Sequence, residues 1–208
     1  MTRGHSIVGS SRKNGEREKD DFYPTPAYAV KALLEEEMFH RTIWEPACGD
    51  GAISEVLKAY QDPNLSGGSG FKVVSSDIVD RGYGEHLGAD FDFLNLHYPE
   101  RMNPLLKGDF DIITNPPFKY ATEFVLHAKK FAKNKVAMFL KLSFLEGIER
   151  KKLLFSDKEF PLSRIYVFSA RVPIWKGGVQ GKNSGMIAFA WFVWDKNHTE
   201  HFPTVHWI

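Results

Sequence analysis

The chain has 208 residues, 43% hydrophobic and 25% charged, which suits one globular domain with its own core and excludes a disordered or low-complexity chain. No run of about 18 apolar residues exists to span a membrane, no apolar stretch behind the charged N-terminus makes a secretory signal, and the single Cys48 excludes an internal disulfide, so a reducing cytoplasm is expected. The net charge of +1 hides an asymmetry: residues 1–110 carry 12 basic and 18 acidic side chains, residues 111–208 carry 15 and 8, so the second half is basic enough to lie near phosphates unless the fold scatters its charges.

Residues 1–20 are polar and hold Arg12, Lys13, Arg17 and Lys19. They read as a flexible tail ahead of a single domain over 21–208. Order is expected from Asp21-Phe22-Tyr23-Pro24-Thr25-Pro26, where two prolines pin an extended or turn conformation. Val30, Leu33, Leu34 and Met38 then recur at helical spacing, with Glu35, Glu36 and Glu37 between them. Thr42–Glu45 reads as a strand, Pro46 to Gly51 as a tight turn, Ala52 to Tyr60 as a helix and Asp62 to Gly70 as a loop. Further strands are expected at Phe71–Ser76, Asp109–Thr114, Lys135–Leu142, Arg164–Phe168 and Met186–Trp194, and helices at Ala121–Lys133 and Gly147–Phe155. Strands alternating with helices imply a mostly parallel sheet covered on both faces. The last two of these strands have no helix between them, so at least one should run antiparallel.

The turn after the first strand, Glu45-Pro46-Ala47-Cys48-Gly49-Asp50-Gly51, is a candidate ligand site. Its glycines let a backbone approach a ligand closely, and the following helix offers free N–H groups. Ser54 stands where a dinucleotide fingerprint has its third glycine, and Glu45 and Asp50 are unwelcome beside a pyrophosphate. Carboxylates suit a cationic cofactor, one carrying an ammonium and a sulfonium. Asp77, ending the second strand, is placed to hold ribose hydroxyls, and Ile78 to pack on an adenine. Asp92 and Phe93 either receive the adenine amino group and ring, or cap a turn and fill the core.

Asn115-Pro116-Pro117-Phe118 follows a strand, at the end where ligands bind in open α/β sheets. The prolines stiffen the backbone and leave the Pro116 carbonyl as a fixed acceptor. The Asn115 oxygen and that carbonyl can receive both N–H bonds of a poorly nucleophilic exocyclic amine, such as that of adenine, and aim its lone pair at a methyl group. Phe118 can stack on a base flipped out of its helix.

In the order Asp21–Pro26, Glu45–Gly51, Asp77, Asp92–Leu94 and Asn115–Phe118, the chain resembles DNA amino-methyltransferases, in particular the gamma-type N6-adenine enzymes, from Phe22 to Trp194. The resemblance implies a Rossmann-like class I methyltransferase fold, with a mostly parallel seven-stranded sheet and an antiparallel strand near the C-terminus. It implies S-adenosyl-L-methionine as cofactor and duplex DNA, with the target base flipped out, as partner. Asn115, Pro116, Pro117 and Phe118 would form the amine site. Tyr23, Thr25, Pro26, Glu45, Pro46, Ala47, Gly49, Gly51, Asp77, Ile78, Asp92 and Phe93, with Asn115, would line the cofactor site, and Thr25 would contact the cofactor carboxylate. Similar motifs occur in enzymes acting on guanine in RNA or glutamine in protein, and a non-catalytic nucleic-acid binder of this fold is a further alternative. Gamma-type enzymes usually add a target-recognition domain after the catalytic half. Little chain follows Trp194 here, so short or relaxed sequence specificity is expected, as in a small phage-borne enzyme protecting DNA from restriction. Lys119, Arg171, Trp175, Lys176 and Lys182 are candidates for nucleic-acid contact. His198, His201 and His206 have no partner at ligand spacing, and no metal is expected.

Overall fold

The computed structural model describes residues 21–61, 70–84, 92–97, 103–174 and 187–208. The expected tail and the loop carrying Trp175, Lys176 and Lys182 lie outside them.

Seven strands form one sheet: β1 (Thr42–Glu45), β2 (Lys72–Ser75), β3 (Asp111–Thr114), β4 (Lys135–Lys141), β5 (Leu162–Val167), β6 (Phe189–Asp195) and β7 (Thr204–Trp207), in the order β2-β1-β3-β4-β6-β5-β7. β6 alone is antiparallel to its neighbours β4 and β5, while the other pairings are parallel. The expected antiparallel strand is therefore β6. Six of the seven strands fall where the sequence predicts strands. β7 went unseen because four exposed residues after Pro203 show no periodicity.

Alternate strand residues feed two cores, as pleating requires. Ile112, Met138 and Phe192 join one core, with Phe124, Val125 and Ala128 of α3 (Ala121–Phe131). Ile113, Phe139 and Trp191 join the other, with Val30 and Leu33 of α1 (Ala27–Glu36) and Ile53 and Leu57 of α2 (Ala52–Ala59). Burial on both faces explains the unbroken apolar runs of β4 and β6. Trp191 Nε1 donates to the Ala29 carbonyl at 2.7 Å, tying α1 to β6.

Two expectations fail at the end of α1. Met38 lies beyond the helix and is 67% exposed, and Glu37, expected on the polar face, is 6% exposed. Glu37 turns inward because Lys135 (2.7 Å), Tyr166 (2.8 Å) and the Arg164 guanidinium all donate to its carboxylate. The segment expected as a helix over Gly147–Phe155 is one α-turn, α4 (Ile148–Arg150), running into a π-turn over Lys151–Phe155.

Since β1 to β5 are parallel, their carboxyl ends share one edge. That edge carries Glu45, Ser75 to Asp77, Asn115 to Phe118, Lys141 and Phe168 onward. No described helix is long and apolar enough to cross a membrane.

Candidate active site

β1 delivers Glu45 to the carboxyl edge, and the chain then turns through Pro46–Gly51 into α2. Gly49 (φ 57°) and Gly51 (φ 88°) take the left-handed conformation that side chains resist. The Phe22 ring lies on Gly49 and the Tyr83 ring on Gly51, each within 2.5 Å of where a Cβ would stand. The turn is pinned from β2: Cys48 N–H donates to the Ser76 carbonyl at 2.9 Å and Gly49 N–H to Asp77 Oδ2 at 2.8 Å.

Glu45 is 1% exposed. Its carboxylate accepts from the Ser54 hydroxyl, which also contacts Ser75 Oγ at 2.6 Å. Burial pushes the Glu45 carboxyl well above the usual range, and Asp77 and Asp50 add to the rise against the Ser54 hydrogen bonds. Ser54, noted in the sequence as a missing glycine, therefore anchors the carboxylate below the turn. Burial also pushes the Cys48 thiol up to about 12, which removes it as a nucleophile.

Asp77 is held on both oxygens, since Val79 N–H reaches Oδ1 at 2.9 Å and the Arg81 guanidinium lies 3.5 Å away. Arg81 also sits over the Phe22 ring at 4.4 Å. Asp92 accepts from Leu94 N–H at 3.0 Å and from the Asn95 amide. Phe93 is 2% exposed and packs on Trp44, Phe124 and His127. Of the two readings open for this pair, capping and core describe their contacts, although both still border the cavity.

The Asn115-Pro116-Pro117-Phe118 motif leaves β3 at Asn115. Its Nδ2 donates to the Tyr23 carbonyl at 2.8 Å and to Thr25 Oγ1 at 3.0 Å. Asp21 Oδ2 accepts from Lys119 N–H at 3.2 Å. The Phe118 ring lies 5.9 Å from Tyr23, 5.7 Å from Phe189 and 4.3 Å from Lys141 Nζ. Pro116 is buried, and among the described residues no hydrogen bond uses its carbonyl.

These parts surround a cavity of about 680 Å³. From the N-terminal segment it takes Tyr23 and Thr25, from the first turn Glu45, Pro46, Ala47 and Gly49, and from β2 onward Asp77, Ile78, Asp92 and Phe93. From the segment after β3 it takes Asn115, Pro117 and Lys119. Pro26, Gly51, Pro116, Phe118 and Arg171 are not on its wall. Gly51 caps α2 instead, and the exposed Arg171 follows β5 at the same sheet edge. Phe22, Arg81 and Tyr120 line the cavity without having been singled out. The spacing of Arg81, four residues after Asp77, was a usable signal. The wall carries more carboxyl groups (Asp21, Glu45, Asp50, Asp77, Asp92) than cations (Arg81, Lys119).

No family model and no curated protein matches the chain. Among solved structures it is similar to a Listeria monocytogenes protein assigned as a class I S-adenosylmethionine-dependent methyltransferase (TM-score 0.55, 12% identity, 87% of this chain and 61% of that one). A Vibrio vulnificus protein assigned as a modification subunit of a type I restriction enzyme is also similar (TM-score 0.56, 17% identity, 93% and 48%). So is magnesium protoporphyrin IX methyltransferase from Synechocystis with bound S-adenosylmethionine (TM-score 0.50, 12% identity, 82% and 79%). The chain spans 61% and 48% of the length of the first two. What it shares with all three is the Rossmann-like class I methyltransferase fold.

Proposed function

We propose that the chain is an S-adenosylmethionine-dependent methyltransferase acting on the exocyclic amino group of adenine in DNA. The observation that carries this is Asn115. Both N–H bonds of its carboxamide are taken by the N-terminal segment, so among the described residues Oδ1 is left without a hydrogen-bond partner, at the wall of a cavity rich in carboxyl groups. The likeness to a restriction-enzyme modification subunit supports DNA as the substrate.

The residues present fit the cofactor. The acidic wall suits a ligand with an ammonium and a sulfonium, and Gly49 of the left-handed turn lies on that wall. Asp77 keeps lone pairs for ribose hydroxyls beyond those its neighbours use. When bound, S-adenosylmethionine supplies a methyl group on a sulfonium, with a neutral thioether as leaving group. Asn115 Oδ1, on the cavity wall, would accept one N–H of the target amine and orient its nitrogen toward the methyl group. Pro116, expected to offer its carbonyl to the other N–H, is buried off that wall, so the acceptor role falls to Asn115. Phe118 lies off the wall and packs on Tyr23, which borders the cavity where a base would sit.

The test is methyl transfer from radiolabelled S-adenosylmethionine to DNA, RNA and protein in parallel, followed by nucleoside and amino-acid analysis. Label in N6-methyladenine is expected, whereas label in guanine of RNA or in glutamine overturns the substrate. Asn115→Ala should bind S-adenosylhomocysteine normally and lose about 10²–10³ in turnover, the scale of removing one preorganised polar contact. A chain that binds neither form of the cofactor sinks the reading.

A further inference from the structure

We infer that Thr25 is a positioning residue: with the Tyr23 carbonyl it locks the Asn115 carboxamide so that its oxygen, not its nitrogen, serves the cavity. The inference rests on the reading of Asn115 as the acceptor for the target amine. It differs from the family-derived role of Thr25 as a contact for the cofactor carboxylate.

Three observations carry it. First, the Tyr23 carbonyl can only accept, so the group facing it at 2.8 Å must be the amide NH₂. A flipped carboxamide would set two oxygens against each other. Second, Thr25 Oγ1 accepts the other N–H at 3.0 Å, and Thr25 is 3% exposed, so water does not replace its hydroxyl easily. With both N–H bonds held, rotating the carboxamide breaks two hydrogen bonds at once. Third, the segment that supplies both acceptors is itself fastened to the catalytic motif. Asp21 Oδ2 receives Lys119 N–H at 3.2 Å, and the Tyr23 ring stacks on Phe118 at 5.9 Å. At the far end of the segment, the Pro26 carbonyl accepts Ala29 N–H at 2.9 Å as α1 begins. Pro24 and Pro26 on either side of Thr25 restrict its backbone. Thr25 is thus held by its surroundings and aimed at Asn115.

The experiment compares full-length wild type, Thr25→Val and Thr25→Ser. Val keeps the shape and removes the acceptor, and Ser restores the acceptor on a smaller side chain. Three readouts are needed: the Asn115 side-chain amide signals by ¹⁵N NMR, calorimetric affinity for S-adenosylhomocysteine, and kcat on DNA at saturating S-adenosylmethionine. Thr25→Val should shift the Asn115 amide signals and speed their hydrogen exchange. It should leave S-adenosylhomocysteine affinity within about twofold and lower kcat about tenfold, the scale of one lost hydrogen bond. Thr25→Ser should restore the amide signals and most of kcat. Unchanged Asn115 signals in Thr25→Val overturn the inference. So does a loss of cofactor affinity that accounts for all lost activity, with kcat at saturation intact. If wild type places no methyl on adenine, the proposed substrate falls, while the amide signals still decide whether Thr25 sets Asn115.

Discussion

Glu45 is an almost fully buried carboxyl group, 1% exposed and held through Ser54. In the unfolded chain it ionises near pH ~4.3. In the folded protein, burial first and then Asp77 and Asp50 keep its proton on well above that. Between the two values the folded state binds more protons than the unfolded state, so the stability this group contributes is full below the unfolded pKa. It drains away as pH rises toward the folded one. Glu45→Gln removes the titration. Urea unfolding from pH 4.5 upward should therefore show the variant gaining stability relative to wild type as pH increases. Parallel curves would mean that Glu45 is ionised in the folded protein.

At the scale of elements, a charged cluster at the edge opposite the cavity joins α1 to β4, β5 and β6. Glu37 receives Lys135, Arg164 and Tyr166, and Asp195 receives Arg164 at 2.8 Å. Replacing Glu37 by Ala leaves two half-sheltered cations sharing Asp195. Denaturant unfolding should show a loss of about 3 kcal/mol, the low end for breaking a buried pair. A change below about 0.5 kcal/mol would show that solvent compensates the cations, as it does for surface pairs. This cluster also marks where sequence reading stops. The 3.6-residue period announced the apolar face of α1, and the runs of β4 and β6 announced strands buried on both sides. Nothing local announced that Glu37 would leave the polar face, because its partners lie 98 to 129 positions away. β7 had the same difficulty, since its pairing with β5 defines it better than its four residues do. The site divides likewise. Glycines, carboxylates and Asn115-Pro116-Pro117 were legible because their chemistry is local. That Phe93 is core, or that Arg81 sits on Phe22, depends on neighbours the sequence does not identify.

Across the whole molecule, parallel β1 to β5 bring Glu45, Asp77, Asn115 and Lys119 to one rim. Lys119 stands there, exposed at the cavity wall with Nζ over the Tyr120 ring. If the rim meets a phosphate backbone, Lys119→Gln should weaken binding to all DNA sequences alike. It should also reduce the slope of log affinity against log salt by about 1. Fluorescence anisotropy between about 50 and 200 mM salt measures it, and an unchanged slope would remove Lys119 from the interface.

The bonds that hold the Asn115 amide join positions 92 and 90 residues apart, with the chain's first described segment providing one side. This closure depends on one short segment outside the hydrogen-bonded ladder of the sheet, and segments of that kind open at lower free energy than core strands. Local release of residues 21–25 would scatter the active geometry while the sheet stays intact. Activity should accordingly disappear at lower urea than the tryptophan fluorescence transition. Coincident midpoints would instead make this segment part of the cooperative core.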